Sequence, residues 1–180
     1  TPGSIAAGPL IPNTTYYLRM GSLWRKTTSY APTSPASTAT LAEQPALAAM
    51  TFDDIWIGSM SVRWGRNGNP VDVTTYTVIL TTGAYPNAFA GNVQLSTAPA
   101  GASPAATLAG LAANTTYWLY ARTLNHNGVP TADAFLGSAP TRAAEPATVA
   151  STFTVLTNAA LSAQWSANGN PAGTLYEAWV

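Results

Sequence analysis

Leu111-Ala112-Ala113-Asn114-Thr115-Thr116-Tyr117-Trp118-Leu119-Tyr120-Ala121-Arg122-Thr123 decides the fold. From Tyr117 onward the period is two: Tyr117, Leu119, Ala121 and Thr123 share one face, while Trp118, Tyr120 and Arg122 share the other, which marks a strand. The lead-in to this strand occurs twice. Asn13-Thr14-Thr15-Tyr16 recurs as Asn114-Thr115-Thr116-Tyr117, with Leu10 and Leu111 placed identically before each copy and Leu18 and Leu119 after. The same offset, about 101 residues, relates Asn67-Gly68-Asn69-Pro70 to Asn168-Gly169-Asn170-Pro171, Trp64 to Trp165, Met60 to Leu161, Val62 to Ala163 and Pro45 to Pro146. So many matches at one spacing identify an internal duplication.

Glu43-Gln44-Pro45 and Glu145-Pro146 are the expected boundaries, because proline lacks the N–H that continues a sheet. Residues 45–145 then form one complete unit, residues 1–44 the C-terminal half of another, and residues 146–180 the N-terminal half of a third, so that the two pieces are complementary. Inside the complete unit Met60, Val62 and Trp64 alternate with Ser59, Ser61 and Arg63, and Tyr76, Val78 and Leu80 form the apolar set of the next strand. Asn67-Gly68-Asn69-Pro70 between them, and Asn125-His126-Asn127-Gly128 farther on, are turn chemistry. A hairpin partner is expected around Asp133 to Thr141. About seven short strands in about 100 residues predict an all-β, immunoglobulin-like sandwich.

Composition narrows the function. The chain has 180 residues, of which 8% are charged, against roughly 25% in an ordinary soluble domain. Seven Lys plus Arg balance seven Asp plus Glu, so no basic stripe meets a nucleic-acid backbone and no basic amphipathic stretch meets a membrane. No segment has the length of about 18 apolar residues needed to span a bilayer, and Thr1-Pro2-Gly3-Ser4 lacks the order of a signal peptide, as expected for a mature or cropped chain. With no cysteine there is no disulfide, thiolate metal site or cysteine nucleophile. Six Trp, eight Tyr and four Phe nevertheless give the chain enough apolar surface to fold.

Trp64 and Trp165, Tyr76 and Tyr176, and the Leu111–Tyr117 run resemble the core pattern of the fibronectin type III family, and Leu10-Ile11-Pro12-Asn13-Thr14-Thr15-Tyr16 resembles it further, with Pro after the Leu. The resemblance covers essentially the whole chain. It implies tandem β-sandwiches with a structural core of Trp64, Tyr76, Leu111, Tyr117, Trp165 and Tyr176, and tyrosine-corner hydrogen bonds from Tyr117 and Tyr16. The phrase from Ala167 to Thr174 is similar to tandem fibronectin-type arrays of large bacterial surface proteins, which implies an extracellular or cell-surface location. The expected role is a non-enzymatic structural, spacer or adhesive segment of a repeat protein or filament, without cofactors. Its expected partners are neighbouring units or identical chains: either the boundaries are a cropping of a longer chain, or the two half-units complete one another between chains to build a homopolymer. The alternative is a carbohydrate-binding or spacer module of a secreted polysaccharide-degrading enzyme, with glycans as partners.

Chemistry-bearing candidates are few. His126 is the only histidine, so it alone can serve a triad and no His pair can hold a metal; its Asn-His-Asn-Gly setting reads as a solvated turn. Asp53-Asp54 is the only acidic pair and falls short of a calcium loop, reading as solvated loop. Asn13-Thr14-Thr15 and Asn114-Thr115-Thr116 satisfy the glycosylation sequon, making Asn13 and Asn114 candidate modification sites. With Tyr117, Leu119 and Ala121 inward, Trp118 and Tyr120 face outward beside Ile79, and Tyr17, Arg19 and Trp179 repeat the theme in the half-units. This aromatic row is a candidate interaction surface, covered by an adjacent unit or used in binding, with linker packing, Arg–aromatic stacking or simple sheet propensity as the alternatives.

Overall fold

The computed structural model describes residues 4, 6–31, 36–83, 93–97 and 103–179, with residues 93–97 described by their backbone. Among these residues the strands are β1 (Thr15–Leu18), β2 (Gly21–Trp24), β3 (Thr27–Tyr30) and β4 (Ala36–Ala39) in the first region. Seven follow in the middle: β5 (Ala46–Ile55), β6 (Ser59–Gly65), β7 (Thr75–Thr81), β8 (Val93–Thr97), β9 (Ala105–Ala109), β10 (Thr116–Leu124) and β11 (Ala134–Pro140). The last region holds β12 (Phe153–Leu156) and β13 (Leu161–Ala163).

The middle seven form two antiparallel sheets, of order β5-β6-β9 and β11-β10-β7-β8. The chain leaves the first sheet after β6 and returns to it at β9, so a single core is built between the sheets. Alternation decides which side chains enter it. Met60, Val62 and Trp64 from β6 meet Tyr76, Val78 and Leu80 from β7 and Leu119 and Ala121 from β10, all fully buried. The Trp64 and Tyr76 rings meet edge-on, with centroids 5.5 Å apart at 67°. Leu111 packs against this cluster, and the Tyr117 hydroxyl accepts a hydrogen bond from Ala112 N at 2.9 Å, tying the strand's start to the loop before it. At the bulge in β11, Gly137 adopts φ 120°, a conformation that favours glycine, and a Cβ there would crowd the Phe52 ring at 3.3 Å.

The first and last regions copy parts of this unit. Ile11 N donates to the Tyr16 hydroxyl at 2.9 Å, as Ala112 N does to Tyr117. β1 pairs with β4 as β10 pairs with β11, Thr15 opposite Ala39 and Thr116 opposite Pro140. Trp165 meets Tyr176 edge-on at 5.7 Å and 66°, repeating the Trp64–Tyr76 contact. Burial is not repeated. Leu18 is 46% exposed where Leu119 is buried, and Trp165 is 43% exposed where Trp64 is buried, because among the described residues no opposing sheet covers these faces. Trp165 and Tyr176 thus keep the core geometry without the enclosure expected of core residues.

Two further expectations are corrected. Ile79, read as outward and exposed, is fully buried, and Thr77 and Thr81 on the same face are 4% and 0% exposed. β7 is an inner strand of its sheet, paired with β10 on one side and β8 on the other, and Ile79 lies opposite Tyr120 in register. Asp53 and Asp54 lie in β5 rather than in a loop, and Arg63 Nε donates to Asp53 Oδ2 at 2.7 Å across the sheet.

Candidate functional site

The polar side chains that sequence reasoning treated as turn formers converge at the joints between repeats. At the first joint Asn13 sits in the left-handed region at φ 47° and is fully buried. Asparagine tolerates that conformation better than most residues, and here both ends of its amide are used. Nδ2 donates to Thr74 Oγ1 at 3.1 Å and Oδ1 accepts from His126 N at 3.0 Å. Thr74 is itself buried and its hydroxyl donates to Pro70 O at 2.7 Å, which fixes the lone pair offered to Asn13.

Asn69, 1% exposed, holds the linker. Its Oδ1 accepts from Glu43 N at 2.9 Å while Nδ2 donates to Glu43 O at 2.8 Å and to Arg66 O at 2.7 Å. The side-chain amide therefore pairs with a peptide group as one strand residue pairs with another. Beside it Asn67 Nδ2 donates to Gln44 O at 3.0 Å.

The second joint repeats this set one repeat later. Asn114, at φ 44°, donates from Nδ2 to Thr174 Oγ1 at 2.9 Å, and Thr174 donates to Pro171 O at 2.8 Å. Asn170 accepts from Ala144 N at 2.8 Å and donates to Ala144 O at 2.7 Å, while Asn168 Nδ2 donates to Glu145 O at 2.9 Å. Two loops and a linker are thus joined by the same four side-chain hydrogen bonds at both places. The Nδ2 atoms of Asn13 and Asn114, where a glycan would attach, are both engaged in these contacts.

The turn at residues 125–128 adds a third element to the first joint. Asn125 is 5% exposed, and its Nδ2 donates to Thr40 O at 3.2 Å. His126 Nδ1 lies 3.1 Å from Thr15 Oγ1, and Asn127 Nδ2 donates to Thr38 Oγ1 at 3.2 Å. The expectation of a solvated turn is therefore corrected: the turn is solvated on one side and docked on the preceding repeat on the other. His126 is spent on this contact, and among the described residues no three His, Asp or Glu side chains gather to hold a metal ion.

The expected aromatic surface divides. Tyr17 and Arg19 are exposed and Trp179 is 87% exposed, but Trp118 and Tyr120 are half-buried, with the Tyr120 ring 5.2 Å from that of Phe135 on the next strand. Tyr76 is the one described group whose ionisation is displaced: burial pushes its hydroxyl up to about 12, with the Arg66 charge and the Asn69 amide pulling partly back. Sequence reasoning missed the joint. The signal was present, since the tetrapeptides repeated without change fall in loops while core positions drift from Met60 to Leu161 and from Val62 to Ala163. Loops vary more freely than cores, so unchanged loops mark contacts.

No family model matches the chain, and no curated protein matches it. Among solved structures it is similar to a computationally redesigned β-sandwich protein at 16% identity and TM-score 0.41, covering 58% of this chain and 95% of that one. It is similar to domains d3–d4 of the rat CD45 extracellular region at 16% identity and TM-score 0.45, covering 77% and 70% of the two chains. For the FN1–FN3 domains of chicken CNTN1 the values are 17% and 0.37, with 74% and 44% covered. The all-β sandwich assignment rests on the strand order and core described above.

Proposed function

We propose that this chain is a non-enzymatic structural segment of an extracellular repeat protein, in which β-sandwich units are held at a fixed setting to their neighbours. One observation carries this reading: the same four side-chain hydrogen bonds recur at both joints, Asn13–Thr74, the two between Asn69 and Glu43, and Asn67–Gln44 at the first, and their equivalents at Asn114, Asn170 and Asn168 at the second. A spacer needing only a flexible tether has no use for buried side chains spent on its linker. Small-angle scattering of the parent and of Asn69→Ala combined with Asn170→Ala tests it. The parent should scatter as one stiff body and the variant as units moving independently, and identical curves would refute the reading.

A second reading, assembly of identical chains through complementary half-units, draws on the uncovered faces of Leu18 and Trp165. These residues correspond to Leu119 and Trp64, which cover one another's sheets in the complete unit. Sedimentation of the chain over a wide concentration range should then reveal head-to-tail oligomers that Trp165→Asp abolishes, whereas a monomer throughout would discard this reading.

A further inference from the structure

Charge is not spread evenly along this neutral chain. Arg19, Arg25 and Lys26 are the only ionisable side chains of Asp, Glu, Lys or Arg type before Glu43, so residues 1–42 carry three positive charges and no negative one. Two of the three sit at the tip of the β2–β3 hairpin, where Gly21 pairs with Tyr30 and Trp24 with Thr27. Ala31 N donates to Met20 O at its base, so the hairpin extends about 17 Å at roughly 3.4 Å per residue. Both strands are exposed along their whole length, with Leu23 71%, Trp24 69% and Tyr30 59% accessible.

The tip is built against backbone preference. Arg25 and Lys26 adopt φ 45° and 69°, the two left-handed positions of a tight hairpin turn that Asn-Gly fills without strain. Long cationic side chains at both positions are a choice of side chain over backbone. The Arg25 guanidinium lies 4.5 Å from the centroid of the Trp24 ring, which positions a fixed charge beside a flat apolar face.

We infer that the β2–β3 hairpin tip, Trp24-Arg25-Lys26, binds an acidic polysaccharide. Arginine's planar fork matches a sugar carboxylate, lysine adds a second charge, and an exposed aromatic face suits the apolar face of a pyranose ring. The inference does not rest on the stiff-joint reading, because no residue of the hairpin takes part in the hydrogen bonds of Asn69 or Asn170.

Affinity electrophoresis through polygalacturonate tests it, with neutral dextran as the control matrix. The parent chain should be retarded by polygalacturonate and not by dextran, with binding weakened roughly tenfold between 50 and 200 mM salt as two or three ion contacts are screened. Arg25→Asn with Lys26→Gly gives the turn its preferred residues while removing both charges. It should melt at or above the parent's temperature yet lose retardation at least tenfold, and Trp24→Ala should weaken binding without altering the salt dependence. Retardation of the double variant equal to the parent's, or none for either, overturns the inference. Capture of the chain by vesicles of anionic phospholipid with no response to polygalacturonate also overturns it, and reassigns the tip to a membrane surface.

Discussion

Replacing Asn69 by alanine separates a clasp from a turn residue. The side chain is almost fully buried and makes three hydrogen bonds, two to the Glu43 peptide in the linker and one to Arg66 O in its own loop. A net value of about 0.5–1.5 kcal/mol for each bond gives roughly 1.5–4.5 kcal/mol in all, with the upper end favoured if the Glu43 groups stay dry after their partner is gone. For a unit of about 100 residues that is a fall of roughly 6 °C or more in melting temperature. Urea denaturation followed by tryptophan fluorescence measures the loss, and amide exchange at Glu43 locates it. The Glu43 N–H should lose its protection in Asn69→Ala and keep it in Asn69→Asp, where Oδ1 still accepts. Asn69→Asp should be destabilised all the same, because a carboxylate then faces the carbonyl oxygens of Glu43 and Arg66. A change below about 0.5 kcal/mol with Glu43 still protected in Asn69→Ala would refute the clasp.

Trp64→Ala should cost on the order of 3–5 kcal/mol by leaving a cavity against Tyr76, read as a shift in the denaturation midpoint, whereas Trp165→Ala should cost far less because that ring is partly exposed. Because the folded Tyr76 hydroxyl titrates at about 12 and an unfolded tyrosine near 10, the unfolded chain gives up its proton first as pH rises. Stability is therefore lost between about pH 10 and 12, on the order of 2 kcal/mol, and the stability curve of Tyr76→Phe should lack that part of the fall; parallel curves would contradict the assignment. Asn125→Ala removes the donor to Thr40 O and the acceptor that holds Asn127 N and Val129 N, so exchange should rise in the turn and at Thr38–Thr40 together. A rise in the turn alone would show that it does not couple to the preceding repeat.

Period-two alternation made the complete unit legible, since Met60, Val62, Trp64, Tyr76, Val78, Leu80, Leu119 and Ala121 all face inward as written in the sequence. Ile79 was not legible, because alternation reports which side of a sheet a residue faces and not whether that side is covered. The joint was hidden for a related reason. Asn13, Asn69 and Asn125 have the composition of exposed turns, and only the approach of a separate chain segment turns each into a buried, fully bonded amide. The β2–β3 tip escaped because Arg25-Lys26 violates the Asn-Gly preference by which hairpin turns are recognised.

Each unit carries one part of the joint at either end: the Asn-Thr-Thr loop meets the unit that follows, and the Asn-Gly-Asn-Pro loop meets the unit before. Removing residues 45–145 would therefore set Asn13 against Thr174 and Asn170 against Glu43, recreating the asparagine clasps with partners already present elsewhere in the chain, while the contacts of the turn at residues 125–128 would go with the unit that carries them. In an array of such units, recombination between copies that added or removed a whole unit would keep these clasps paired. A break out of phase by even a few codons would leave buried asparagine amides unpaired, so number is free to evolve while register is not.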